Sequence, residues 1–196
     1  ATNTGGNATA TIQITVNDSA PSITVGGPYT FTKGSVSSIT VANTGGAIAT
    51  CTTSPVLPAG LIIDGSSCAI SGTPSVISGA ANYVITATNV TGNSTATVNI
   101  TVNDVKPTLA YTPSSYTFTN GTAIPTVTAS ITGGAVTSCT SSPALPTGLV
   151  LNNTTCAVTG TPSITVSPAA DYVITASNTG GSTTATLTIL INPGAP

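Results

Sequence analysis

The chain has no His, Met or Trp, and Glu and Arg are missing as well; its charged side chains are Lys33, Lys106, Asp18, Asp64, Asp104 and Asp171. Each absence excludes a class of chemistry. Without His, a Ser-His-Asp arrangement cannot be assembled within the chain. The four carboxylates do not recur as a set between repeats, so they form no acid–base pair, and the sequence reads as non-enzymatic. Two cations and a formal net charge of -2 offer no surface that could neutralise a phosphate backbone, which excludes nucleic-acid partners. No apolar run approaches the roughly 18 residues of a membrane-spanning helix, so this segment carries no membrane span. The chain opens on Ala1-Thr2-Asn3-Thr4 without a basic and apolar leader, so any secretion signal is expected to lie upstream or to have been removed.

Scarcity of charge does not imply disorder, because disorder requires low hydrophobicity, and here 39% of residues are hydrophobic with a mean hydropathy of +0.40. Polarity is carried by Thr, Ser and Asn. Thr is β-branched and suits the solvent face of a strand.

Self-similarity organises the chain. Cys51 and Cys139, like Cys68 and Cys156, stand 88 positions apart. Gly45-Gly46, Pro55, Leu57-Pro58, Gly60-Leu61 and Gly72-Thr73-Pro74 return at that offset as Gly133-Gly134, Pro143, Leu145-Pro146, Gly148-Leu149 and Gly160-Thr161-Pro162. Residues 9–18 match the end of a repeat, 95–104, and again 184–192, so there are three copies of a closing strand and two of everything else. The expected organisation is 1–18, closing strand of a preceding repeat; 19–104, repeat 1; 105–196, repeat 2. Residues 1–18 are expected either to mark where a longer array was cut or to act as a donor strand. In the second case Ala10, Ile12, Ile14 and Val16 would complete a neighbouring subunit.

Alternation with period two predicts half-buried antiparallel strands. Ala96, Val98, Ile100 and Val102 point one way and Thr95, Thr97, Asn99 and Thr101 the other. Tyr83, Ile85 and Ala87 are expected to face the core. Asn89 to Asn93 is expected to turn the hairpin, with Gly92 supplying a positive φ. Tyr29–Phe31, Ser38–Val41 and Ile48–Thr52 read as further short strands. No helical periodicity appears. About seven short strands per repeat, with frequent turn signals, predict an all-β fold of tandem Ig-like antiparallel sandwiches.

A domain of this size hides only roughly 60–65% of its unfolded surface and benefits from a covalent staple. Four cysteines allow three pairings. The shared offset makes Cys51–Cys68 and Cys139–Cys156 the economical one, closing a loop of about 18 residues and contributing roughly 3 kcal/mol in the chain-entropy treatment. A zinc site does not suit four thiols divided between two repeats without His or CxxC spacing. Persistent disulfides imply an oxidising compartment, so the chain is expected to be extracellular or at the cell surface.

The run Gly-Gly-x4-Cys-x3-Pro-x-Leu-Pro-x-Gly-Leu, then Cys-x-(Ile/Val)-x-Gly-Thr-Pro, then Tyr-Val-Ile-Thr-Ala-x-Asn with a Thr-Ala-Thr strand, resembles the Putative Ig domain family of microbial surface proteins, a relative of cadherin-like domains. The resemblance covers both repeats nearly end to end. It implies an extracellular tandem repeat serving as stalk, spacer or adhesin segment, and it supplies no catalytic residues.

Other candidate sites are few. Asn17-Asp18-x2-Pro21 and Asn103-Asp104-x2-Pro107 are similar to calcium-binding junctions, but each offers one Asp where calcium takes six to eight oxygens. The expectation is therefore no cofactor, and a rigid junction set by Pro21 and Pro107. Lys33 and Lys106 lack the repeat-equivalent setting expected of isopeptide-forming lysines. Asn7, Asn17, Asn89, Asn93, Asn99, Asn120, Asn152 and Asn153 each begin an N-glycosylation acceptor, Asn-x-Ser/Thr. The aromatics recur at equivalent strand positions, as core residues do, except Tyr111. The expected function is a structural segment of a surface fibre or adhesin stalk, with neighbouring repeats or identical subunits as partners. The alternatives are a filament subunit assembling by strand donation through residues 9–16, or an adhesion module that binds surface glycans or proteins.

Overall fold

A computed structural model describes residues 1–16, 18–164 and 167–194. It opens with a short hairpin, β1 (Thr2–Asn3) and β2 (Gly6–Asn7). Repeat 1 follows: β3 (Ile23–Thr24), β4 (Tyr29–Thr32), β5 (Ser37–Ile39), β6 (Ala42–Asn43), β7 (Thr50–Ser54), β8 (Leu61–Ile63), β9 (Ile70–Gly72), β10 (Ser78–Thr88) and β11 (Asn93–Asn103). Repeat 2 comprises β12 (Thr108–Ala110), β13 (Ser115–Thr119), β14 (Ser130–Thr132), β15 (Ser138–Ser142), β16 (Leu149–Leu151), β17 (Val158–Gly160), β18 (Ser167–Asn178) and β19 (Gly181–Asn192).

One sheet of repeat 1 has the order β4-β11-β10-β7, faced by β5-β9-β8 and the pair β3-β6. Repeat 2 repeats this plan with β13-β19-β18-β15, β16-β17 and β12-β14. The first strand of each repeat steps from one sheet to the other, so β4 runs parallel to β11 and β13 parallel to β19, while every other pairing is antiparallel. These are two-sheet sandwiches of the predicted class, with a disulfide in each half. Of the short strands expected, Tyr29–Phe31 lies inside β4, Ser38–Val41 stops at Ile39 in β5, and Ile48–Thr52 is shifted two residues on, to β7.

The long hairpins follow from alternation. Along β10 and β11, Tyr83, Ile85, Ala87, Val98, Ile100 and Val102 are buried. Tyr172, Ile174, Ala176, Leu187, Ile189 and Ile191 occupy the same places in repeat 2. Each aliphatic side chain taken fully out of water contributes about 1.5–3 kcal/mol, so this face dominates the stability of each sandwich. No buried side-chain polar atom among the described residues lacks a hydrogen-bond partner.

Cys51 on β7 bonds Cys68 just ahead of β9, and Cys139 on β15 bonds Cys156 just ahead of β17, with Cα–Cα separations of 5.3 and 5.4 Å. Each bridge ties one sheet to the other. The tight turn that delivers the second cysteine places it in the left-handed region, at φ 57° for Cys68 and 52° for Cys156.

Candidate functional site: the repeat junction and the N-terminal strand

The Gly-Gly pairs are notches for the linker. A Cβ at Gly46 would collide with Ser19 O, and one at Gly134 with Val105 O. The backbone of each linker therefore crosses directly over the glycines of the repeat that follows it. Asn89 and Asn178 hold it there. Asn89 Nδ2 donates to Ser19 O at 2.7 Å and to Ala47 O at 3.1 Å, and Asn178 Nδ2 donates to Val105 O at 2.7 Å. Thr91 Oγ1 donates to Asp18 O at 2.7 Å, while Asp104 N donates to Thr179 Oγ1 at 2.9 Å. Pro21 and Pro107 are buried at the end of each linker.

Within this clamp the junction carboxylates serve the backbone. Asp18 accepts from Ser19 N at 2.9 Å and Ala47 N at 3.2 Å, and Asp104 accepts from Val105 N at 2.9 Å. Among the described residues no three His, Cys, Asp or Glu side chains lie together. Gly92, expected at positive φ, does not adopt it; its surroundings explain its size instead, since a Cβ there would lie 3.3 Å from Ala20 Cβ in the linker. The turn is shaped by Asn89 Oδ1, which accepts from Thr91 N and Gly92 N.

The Leu-Pro-x-Gly-Leu and Gly-Thr-Pro motifs meet side by side within one sheet, where Leu61 pairs with Gly72 and Leu149 with Gly160. Gly60 and Gly72 have φ of +93° and +134°, and a Cβ on either would collide with backbone oxygen: Thr73 O for Gly60, Gly60 O for Gly72. Thr73 N donates to Gly60 O at 3.0 Å and Ser75 N to Ala59 O at 2.9 Å; Thr161 N and Ser163 N repeat both bonds to Gly148 O and Thr147 O. These motifs are structural, and they hold the open edge of each sandwich.

The turns ahead of Cys68 and Cys156 are closed by Asp64 and Asn152. Asp64 Oδ1 accepts from Ser66 N, Ser66 Oγ, Ser67 N and Ser67 Oγ at 2.7–3.0 Å. Those bonds, led by the Ser67 hydroxyl, hold its carboxyl well below the usual carboxylate range. Asn152 Oδ1 accepts from Thr154 N, Thr154 Oγ1 and Thr155 N at 2.9–3.2 Å.

The N-terminal segment reproduces the tip of repeat 2. The pairs Thr2↔Asn7 and Asn3↔Gly6 correspond to Ser177↔Ser182 and Asn178↔Gly181, and Gly6 and Gly181 share φ of +135° and +131°. Residues 8–16 then carry the pattern of β11 and β19, but among the described residues no strand pairs with them. Ile12, Ile14 and Val16 are 78%, 81% and 89% exposed, whereas their equivalents Leu187, Ile189 and Ile191 are at most 1% exposed.

Among the acceptor asparagines, Asn7, Asn93, Asn152 and Asn153 are exposed and Asn120 is half-buried. Asn89 Nδ2 is committed to the linker and Asn99 Nδ2 donates to Asn82 Oδ1 at 2.7 Å. Asn153 Oδ1 accepts from Cys139 N at 3.2 Å. Asn17 lies outside the described residues. Lys33 and Lys106 are exposed, one in the turn after β4 and the other in the linker. Tyr111, the aromatic without a repeat counterpart, is a core residue: it is buried, and its hydroxyl donates to Cys156 O at 2.6 Å. Burial, with Tyr116 adding to it, pushes its phenol up to about 12.

The family described as "Putative Ig domain" matches residues 8–103 and 106–192. No curated protein matches the sequence. Similar solved structures include titin domains A168–A170, at 12% identity and a TM-score of 0.55, with 89% of this chain and 66% of that one covered. Drosophila OTK extracellular domains 3–5 align at 13% identity and a TM-score of 0.52, and the N-terminal four Ig domains of Dscam1 isoform 9.44 at 12% and 0.52. The OTK alignment covers 87% of this chain and 60% of that chain; the Dscam1 alignment covers 92% and 48%. The chain thus spans between about half and two thirds of these neighbours. At such identities the likeness is one of fold.

Proposed function

The chain belongs to the Putative Ig domain family, in two tandem copies, and from that premise we propose that it is a non-catalytic structural segment of an extracellular surface fibre or adhesin stalk. The observation that carries this reading is the repeated clamp. Asn89 and Asn178 bind each linker to the Gly-Gly notch of the next repeat, which supports a series of units set in a fixed orientation. A disulfide in each repeat suits an oxidising location outside the cell. No helix among the described residues is long and apolar enough to cross a membrane. Immunogold labelling of the source cells tests the reading: labelling along fibres outside the cell envelope is expected, and labelling confined to the cytoplasm would overturn it.

A second reading, that the chain is a filament subunit joined by strand donation through residues 9–16, is favoured by the exposure of Ile12, Ile14 and Val16. A strand with one apolar face and unpaired edges is a template for pairing with another chain. Deleting residues 1–18 should abolish filaments seen by electron microscopy, and their persistence would count against donation.

A further inference from the structure

The strand-donation reading leaves open what receives the strand, since each repeat already holds its closing strand, β11 or β19. An acceptor must offer a free strand edge beside an apolar recess, because Ala10, Ile12, Ile14 and Val16 need cover on one face while Thr11, Gln13 and Thr15 stay in water.

Repeat 2 has such a place at its open side, between β15 of one sheet and β16 of the other. A groove of about 470 Å³ runs there, lined by Leu145, Leu149, Leu151 and Cys139 among others. The register supplies the edge. Asn152 N donates to Ala157 O and Thr161 N to Gly148 O, so in the antiparallel alternation Val150 is turned toward β17, while Leu149 and Leu151 turn their peptide groups outward; Leu149 N donates to Pro146 O at 3.0 Å, which leaves Leu149 O and the Leu151 N–H and C=O as the edge. On the facing edge of β15, Cys139 N is held by Asn153 Oδ1 at 3.2 Å. Repeat 1 differs at this place: Leu57 is buried against its core, whereas its equivalent Leu145 remains partly open to the groove.

The strand cannot reach this groove in its own chain. Val16 lies two residues before Asp18, which is clamped to the far end of repeat 1, and β11 alone spans about 35 Å between that end and the second linker. We propose that residues 9–16 of one copy add to the free edge of β16 in a second copy, with Ile12 and Ile14 in the groove between β15 and β16. The two surfaces lie at opposite ends of the chain, so the contact is heterologous and propagates into an open filament. Neither the strand nor the groove lining carries a charged side chain, so assembly should be indifferent to salt.

This inference rests on the strand-donation reading, and the test separates the two. The full chain is followed by light scattering and negative-stain electron microscopy over a rising concentration series, in low and high salt. Polymers are expected in the wild type at either salt, and they should be lost in Ile14→Asp. They should also be lost in Val150→Lys, which sets a charged side chain on the exposed face of β16 directly beside the added strand. They should persist in Ile62→Lys, the same change at the equivalent exposed position of repeat 1. A photoreactive benzoylphenylalanine at position 14, in a mixture of isotope-labelled and unlabelled copies, should cross-link to residues 139–151 of another copy. If Ile14→Asp abolishes polymers while Val150→Lys leaves them and cross-links fall elsewhere, the acceptor is wrong and strand donation stands. If the wild type stays monomeric throughout, or Ile14→Asp polymerises normally, both are overturned.

Discussion

In repeat 1 the turn ahead of the second cysteine is closed by the carboxylate of Asp64, and in repeat 2 by the carboxamide of Asn152, with the same backbone bonds from the residues two and three places on. What the turn requires is an oxygen acceptor at that place; the charge is incidental. A second contrast concerns Ser37 and Pro125, at equivalent positions. Ser37 pairs with Gly72 inside β5, whereas Pro125 has no N–H to give. The strand is accordingly reduced in repeat 2 to the bond from Ile124 N to Gly160 O and the single bridge Val127↔Val158. Repeat 2 gains elsewhere, through the bond from Tyr111 to Cys156 O. The two sandwiches thus share a plan while distributing its hydrogen bonds differently.

The largest effect should come from the bridges. Removing either pair, as C51A/C68A or C139A/C156A, is expected to destabilise its own repeat by roughly 3 kcal/mol, read as a downward shift of one transition in calorimetry. Because Cys68 sits at φ 57°, C51A/C68G should recover about 1 kcal/mol of the loss seen in C51A/C68A. An equal loss in both variants would show that the left-handed turn relaxes once the bridge is gone.

Tyr111→Phe should cost repeat 2 about 1–2 kcal/mol, since it leaves Cys156 O buried without its donor. The phenol is raised from 10.0 to about 12 in the folded chain, so the stability it contributes is intact below pH 10 and is lost as pH rises toward 12. The wild-type second repeat should therefore weaken across that window more than Tyr111→Phe does. Parallel pH profiles for the two proteins would remove the bond from the account.

The smallest effect at neutral pH is expected for Asp64→Asn, which gives repeat 1 the turn that repeat 2 already has. The Asp64 carboxyl is held below its ordinary value, so its contribution is full above that value and declines as pH falls through and beneath it. Thermal unfolding of the wild type should thus show an acid weakening of repeat 1 that Asp64→Asn lacks. A variant as acid-sensitive as the wild type would place that sensitivity elsewhere.

The long hairpins β10–β11 and β18–β19 were legible in the sequence because their alternation runs unbroken over many residues and one face is wholly buried. The pieces β3, β6, β8, β12 and β14 were less so, since two or three residues hold too little periodicity to separate strand from turn. The cysteine pairing followed from the repeat offset. The role of Tyr111 did not, because an aromatic without a counterpart has no register by which to place it. Asn89 is legible both as a glycan acceptor and as part of a hairpin, but its hold on Ser19 O joins residues 70 positions apart, a contact no local pattern encodes.

The parallel pairing near the two ends of each repeat bears on how the chain carries load. Tension applied along the chain enters repeat 1 through the clamped linker and the two-residue pairing of β3 with β6, and beyond these it loads β4 from its start and β11 from its end. It therefore tries to slide two parallel strands past each other, and their four register pairs, Tyr29↔Ile100 to Thr32↔Asn103, resist in shear together rather than opening one by one. Repeat 2 meets the same load with five pairs, Ser115↔Thr188 to Thr119↔Asn192. Repeat 1 is the one that should yield first. Once it does, the segment between Cys51 and Cys68 stays closed and cannot pay out, so each bridge shortens the length its sandwich releases.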